Sequence, residues 1–194
     1  MSDSWDEYAD GWDTDEDVIS YSDKAFQSLT GVIDIVGLNI LDFGCGTGLL
    51  TEKMSVKANE ILAVDSSEKM TSVLINKKLP NVTTLSSIVS ESNLKTNSLF
   101  HKKFDLIVAS SDCAFVPDYE GTLGLLKTLL EPKGIFVQWD WLELESDPGF
   151  GFSKGGIESA FKKTGFEVKS VREVFTLDSK KGSMKVIMGV AQNT

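Results

Sequence analysis

An open α/β sheet, mostly parallel and with helices on both faces, is the fold class this sequence predicts. Three observations predict it. Strand-like apolar runs alternate with helix-like segments between residues 39 and 141. A glycine-rich loop, "LDFGCGTGLL" (41–50), follows directly on the first run. The last two runs are separated by a gap too short for a crossover helix. Alternation of this kind calls for parallel strands joined by helices, and a short gap calls for an antiparallel hairpin.

Each element has its own reason. Ser4-Trp5-Asp6-Glu7 and Thr14-Asp15-Glu16-Asp17 both have capping-box form, which marks helix starts. Trp5, Tyr8 and Trp12 recur at spacings of three and four, and so do Val18, Tyr21, Ala25 and Leu29. Two short helices with one aromatic face each are expected there. "NILDFG" (39–44), "EILAVD" (60–65), "VTTLSS" (82–87), "FDLIVAS" (104–110) and "GIFVQWDW" (134–141) read as strands. "GLLTEKMSVKA" (48–58), "SEKMTSVLINKKL" (67–79) and "YEGTLGLLKTLLE" (119–131) read as helices, the last stopped by Pro132 and Gly134. "FEVKSVREVF" (166–175) and "SMKVIMGVAQ" (183–192), joined by "TLDSKKG" (176–182), complete seven strands as a hairpin.

The 194 residues, 41% of them hydrophobic, fit a single domain over 1–194, with residues 1–36 as a helical lid segment and 37–194 as the α/β core. No apolar run approaches the roughly 20 residues that span a bilayer, so no membrane is expected as a partner. The N-terminus is acidic and unlike a leader peptide, and Cys45 and Cys113 have no metal-ligand or disulfide pattern. A reduced cytoplasmic setting is the expectation, and no metal. The net charge is −10, and eight acids and no lysine or arginine fall within residues 1–20. The rest of the chain is near neutral, without the basic surface that a polyanion requires, so nucleic acid is disfavoured.

The loop's chemistry narrows the ligand. Its glycines stand at 44, 46 and 48; a dinucleotide fingerprint places its third small residue at 49, which is Leu, and no Gly-Lys-Ser/Thr ending is present. Asp42 precedes the first glycine by two. At about 4 Å and an effective dielectric near 20, its charge would interact with a unit charge by roughly 4 kcal/mol. That repels a pyrophosphate and attracts an ammonium. Asp65 ends the second strand, where a carboxylate can accept both hydroxyl hydrogens of a ribose. A ribose at one end and an amino group at the other describe S-adenosylmethionine.

With "ILDFGCGTG" followed by "AVDSSEKM", the chain resembles the class I S-adenosylmethionine-dependent methyltransferases over nearly its whole length. "FDLIVAS", "LLKTLLEPKGIFVQW", "GFEVKSV" and "KVIMGVAQ" are similar to the later family segments, in the same order. The resemblance implies a Rossmann-like seven-stranded sheet in the order 3-2-1-4-5-7-6 with strand 7 antiparallel. It implies that Gly44 and Gly46 pack the methionine part, with Asp42 near its amino group. Asp65 would hold the ribose, and Ser66 and Met70 would line the adenine pocket. Ser87 and Ile88 match the place where relatives carry an acid and a small apolar residue for adenine; the acid is missing here. Trp12 and Tyr21 resemble lid aromatics of small-molecule members, and Ser110 ends the fourth strand on the cofactor side. The implied product is S-adenosylhomocysteine.

No catalytic residue is assigned. His101, the single histidine, precedes the fourth strand and so is expected on the surface, away from the cofactor. "SSDCAF" (110–115) lacks the Asn/Asp-Pro-Pro-aromatic signature of amino-group methyltransferases. Asp112 reads as a helix cap or a base, and Cys113, as a neutral thiol, is a poor base. Trp139, Asp140 and Trp141 end the fifth strand and could shape a substrate pocket. "DPGFGFSKGG" (147–156) is glycine-rich and reads as a mobile lid edge. The expectation is in-line methyl transfer to a small-molecule acceptor. The alternatives are a non-catalytic binding module of the same fold and, disfavoured by Asp42 and Leu49, a nicotinamide oxidoreductase.

Overall fold

In the computed structural model, which describes residues 3–143, 151–179 and 182–194, the chain divides into two units, one through Ile88 and one from Val89 onward. The first opens with α1 (Asp3–Asp6), a 3₁₀ turn (Trp12–Thr14) and α2 (Glu16–Thr30). The cap of α2 is Asp15 rather than Thr14. Its carboxylate accepts from the N–H groups of Asp17 and Val18 at 2.9 and 3.4 Å. The Thr14 hydroxyl instead donates to the Gly11 carbonyl at 2.8 Å. The expected first helix is only a four-residue turn. Trp5, Tyr8 and Trp12 still meet, with ring centroids 6.0 to 6.3 Å apart. The buried face of α2 is Tyr21, Ser22, Ala25 and Leu29, which includes three of the four residues its spacing picked out.

The same unit continues through β1 (Asn39–Phe43), α3 (Leu49–Ser55), β2 (Glu60–Asp65), α4 (Glu68–Asn76) and β3 (Val82–Ser86). β1 and β2 pair in parallel with Asn39 opposite Glu60, and β2 and β3 with Ile61 opposite Val82. Ile40, Leu41, Ile61 and Ala63 are buried along the two inner strands, the near-continuous apolar pattern of a parallel sheet covered on both faces.

The second unit holds α5 (Glu91–Thr96), a 3₁₀ turn (Ser98–His101), β4 (Phe104–Ser110), a 3₁₀ turn (Cys113–Phe115), α6 (Tyr119–Leu129), β5 (Leu130–Trp141), α7 (Lys154–Lys163), β6 (Phe166–Ser179) and β7 (Gly182–Asn193). β4 pairs with β5 in parallel, and β7 is antiparallel to both β5 and β6. The full sheet runs β3-β2-β1-β4-β5-β7-β6, the expected order. Phe136, Phe161 and Phe166 meet at centroid distances of 5.8 to 5.9 Å. Burial of each ring stabilises the unit by about 2–3 kcal/mol.

Four boundaries differ from the sequence reading. The helices at 48–58 and 67–79 are shorter, each ending before the loop that feeds the next strand. β5 starts at Leu130 and absorbs Pro132 and Gly134 in a register shift against Phe104–Leu106. The hairpin strands pair beyond 175, with Ser179 opposite Gly182, because alternating side chains carry the ladder further than apolarity alone showed. Of the expected mobile edge 147–156, residues 147–150 lie outside the described residues. Lys154, Gly155 and Gly156 form the first turn of α7, whose Ser153 cap accepts from the Gly156 N–H at 3.1 Å.

Candidate functional site

In the first unit the glycine loop is built onto β2. The N–H groups of Gly44 and Cys45 both donate to the Val64 carbonyl, at 2.9 and 3.1 Å. Gly44, Gly46 and Gly48 have φ of 69°, 55° and 83°, a region that residues with a Cβ adopt at a cost. At Gly48 a Cβ would also come 2.3 Å from Leu74 Cδ1, so this glycine lets α4 pack on the loop. At Gly46 a Cβ would meet nothing within 4 Å, which leaves the loop open on that side. Thr47 is buried beneath, and its hydroxyl has no hydrogen-bond partner among the described residues.

Asp65 is held by two backbone amides. Oδ2 accepts from the Gly46 N–H and Oδ1 from the Ser67 N–H, both at 2.8 Å. Each carboxylate oxygen keeps a lone pair for a further donor. Burial pushes its pKa up and nearby Asp6 adds to this, while the Ser67, Gly46 and Ser66 amides pull the other way. Asp42 is oriented differently. It is 1% exposed, and its Oδ2 accepts from the Thr51 hydroxyl at 2.6 Å, which ties the first turn of α3 to β1. The carboxylate therefore sits below the loop and not on its surface.

Past Asp65, Ser66 is exposed and Met70 is buried in α4. The Ser87 N–H donates to the Asp65 carbonyl at 2.8 Å, which brings Ser87 to the same strand end. Ile88 is 60% exposed, an open apolar side chain at the edge of this group. Tyr21 is buried and Trp12 half-buried. The N-terminal arm is tied along α4 at both ends. Asp6 accepts from the Ser67 hydroxyl and, at 3.4 Å, from the Lys69 N–H; Asp13 pairs with Lys77 at 2.8 Å. An anion at the start of a helix and a cation at its end both suit the helix dipole. Thr47, Thr51, Ser67 and Asp6 were not singled out from sequence. The one signal for them was the "DSSEKM" cap pattern, which favours Ser67 as the start of α4.

The second unit has a separate polar cluster. Ser110 pairs with Trp139, and the next residue, Ser111, takes φ 59° and donates its N–H to the Trp139 carbonyl at 2.7 Å. That left-handed residue ends β4 sharply, at a cost of order 1 kcal/mol. Asp112 stands at the cap position of the 3₁₀ turn, though its side chain makes no cap hydrogen bond. Cys113 is buried, and burial, then Asp140 and Asp112, push its thiol pKa well up. Tyr119 Oη donates to Gln138 Oε1, and Gln138 Nε2 donates to Asp140 Oδ2 at 2.8 Å. Trp139, between them, is fully buried and Trp141 half-buried. His101 is exposed at the amino end of β4, as its sequence position implied.

Burial also holds the Asp140 pKa well above the ordinary carboxyl range, with Asp112 adding to it and Gln138 and the Ala114 amide opposing. A carboxyl whose pKa rises on folding contributes its full share of stability below the unfolded pKa. That share falls as pH climbs toward the folded value. Asp140→Asn, which stays neutral, should therefore gain in Tm relative to the unaltered chain as pH is raised from 5 to 8. Parallel melting curves across that range check it, and parallel pH dependences would refute the raised pKa.

The sheet order defines an open, Rossmann-like α/β protein. The chain belongs to the methyltransferase domain family, which it matches over residues 22–150. It is 31% identical over 108 residues to an uncharacterized methyltransferase of Schizosaccharomyces pombe, covering 52% of this chain and 38% of that one. It is 25% identical over 104 residues to the ubiquinone biosynthesis O-methyltransferase of Haemophilus ducreyi, covering 52% and 44%. The matched stretch thus spans under half of either curated relative. Among solved structures, a DhpI–SAM–HEP complex superimposes with a TM-score of 0.71 at 20% identity, over 96% of this chain and 94% of that one, which is a likeness of fold. Among the described residues no helix is long and apolar enough to cross a membrane, and no group of three or more acids, histidines and cysteines could hold a metal.

Proposed function

We propose that this chain is one domain that binds S-adenosylmethionine and transfers its methyl group in line to a small-molecule acceptor. The observation that carries the reading is Asp65, fixed at the end of β2 by two backbone amides with both oxygens still able to accept a hydroxyl hydrogen. The cofactor fits the rest of this unit. Gly46 leaves open room over the loop, the Thr47 hydroxyl awaits a partner, and Ile88 presents an apolar surface for a flat ring. The DhpI complex supports the same ligand by likeness of fold.

In this reading Gly44 and Gly46 pack the methionine part, Asp65 binds the ribose diol, and Ser66, Met70, Ser87 and Ile88 enclose the adenine. Asp42 acts through its charge and by bracing α3 through Thr51. Trp12 and Tyr21 belong to a lid formed by residues 1–36, whose arm Asp6 and Asp13 hold along α4. Ser110 ends β4, and the Tyr119–Gln138–Asp140 chain is a separate polar cluster of the second unit. When bound, the cofactor supplies an activated methyl group. The protein's task is then to orient the acceptor and exclude water, which needs no metal and no dedicated base when the acceptor is already nucleophilic. Cys45 and Cys113 are buried thiols outside any disulfide, and the setting in this reading is cytoplasmic.

Calorimetric titration with S-adenosylmethionine, S-adenosylhomocysteine and NADH tests the binding half. Isotopic methyl label appearing in a small molecule of a cell extract tests transfer. Binding of NADH alone would refute the reading, and cofactor binding without labelled product would leave a binding module. His101→Ala should leave both affinity and transfer within about twofold, as expected of an exposed side chain away from special features. A large rate loss measured on the labelled product would contradict the assignment of His101 to the sheet's amino end.

A further inference from the structure

Gln138 and Asp140 stand two residues apart on β5, so they share one face of an otherwise apolar strand. Gln138 is fully buried and Asp140 1% exposed. Gln138 is engaged at both ends: its oxygen accepts from the Tyr119 hydroxyl and its nitrogen donates to Asp140 Oδ2. Asp140 Oδ1, by contrast, is buried with no hydrogen-bond partner among the described residues. An orphaned buried polar atom costs about 1–3 kcal/mol, and native structures rarely keep one without a use. The charged group that acts on this carboxyl is Asp112, a second acid, while the Ala114 amide favours its ionised form, and the other titratable groups of the cluster are Cys113 and Tyr119. None of them is a cation. The ring of Tyr119 in turn meets Phe152 at 4.8 Å, and the Phe152 backbone is held at the end of β5, its N–H donating to the Trp141 carbonyl and its carbonyl accepting from the Glu143 N–H.

We propose that Asp140 Oδ1 is a binding point for a protonated amino group, so that the small-molecule ligand of this unit is an amine. A carboxyl on which a second acid, Asp112, also acts selects against an anion and favours a cation over a neutral hydroxyl. Free Asp140 stays protonated, which avoids a bare charge in the interior. On binding, the ammonium becomes its counter-ion: Oδ1 gives up its proton to solvent and accepts an N–H in its place. Tyr119 and Phe152 part to admit the ligand, and Gln138 holds the carboxyl in orientation through Oδ2. The inference rests on the methyltransferase reading proposed above.

The test uses methylammonium chloride, the smallest probe with the required group, against methanol and sodium chloride. The full chain is labelled at aspartate Cγ with ¹³C, and the Asp140 resonance is identified by its loss in Asp140→Asn. Methylammonium should move that resonance to the ionised position, more strongly as pH rises, while methanol and sodium chloride leave it in place. Asp112→Asn should weaken the response about tenfold. A resonance unmoved by methylammonium, or moved equally by methanol or by sodium chloride, overturns the proposal. Titrating S-adenosylmethionine into the same sample separates the two readings. Cofactor binding with no methylammonium response sinks this inference alone; a methylammonium response without cofactor binding sinks the methyltransferase reading and leaves an amine site.

Discussion

Asp65→Ala should weaken S-adenosylmethionine binding by about 10- to 100-fold, since hydrogen bonds to a charged group are worth roughly 1.5–3 kcal/mol. The loss has two sources. The ribose diol loses its acceptor. The Gly46 and Ser67 amides, each 2.8 Å from the carboxylate, also lose theirs, and the loop loses one of its ties to β2. Asp65→Asn should fall between, because one amide oxygen still accepts while the –NH₂ cannot. Calorimetry gives the affinities, and a melting curve on each variant shows whether the fold survives. Unchanged affinity in a folded Asp65→Ala protein would remove the central support for the nucleoside reading.

Gly48→Ala should have the largest effect on stability, about 2–4 kcal/mol. The residue sits at φ 83°, where a Cβ costs roughly 1–2 kcal/mol. That Cβ would also fall 2.3 Å from Leu74 Cδ1, and Leu74 is 2% exposed and packed with Cys45 and Ala63, so moving it disturbs a packed cluster. For a chain of this size the Tm should drop by roughly 5–15 °C. Gly46→Ala provides the contrast: its φ of 55° carries a backbone cost, but nothing lies within 4 Å of the new methyl. It should melt closer to the unaltered protein and yet bind the cofactor less well. Thermal denaturation of the two variants decides it, and equal Tm losses would show that the Leu74 contact is relieved at little cost.

The loop and its acids were legible in the sequence because their chemistry is local. Glycines at 44, 46 and 48 stand out by type and spacing, and Asp65 by its position at the end of an apolar run. The inward turn of Asp42 toward Thr51 was not legible, since no spacing rule says that a threonine nine residues later will take its oxygen. The Asp6–Ser67 tie bridges 61 residues and was equally invisible. One tertiary feature did leave a trace. Gln138 and Asp140, polar at i and i+2 within "GIFVQWDW", already break the apolar run of a strand that must be covered on both faces.

The sequence by itself determined the elements, their alternation and the closing hairpin, because hydrophobic period, capping residues and loop length act over a few residues at a time. Tertiary structure alone decided which buried polar atoms are satisfied. The pairing of Tyr119 with Gln138, of Gln138 with Asp140, and the orphaned Oδ1 all depend on a helix start meeting a strand across the fold. Burial then sets their electrostatics, since desolvation acts on a carboxyl only once its neighbours have closed around it.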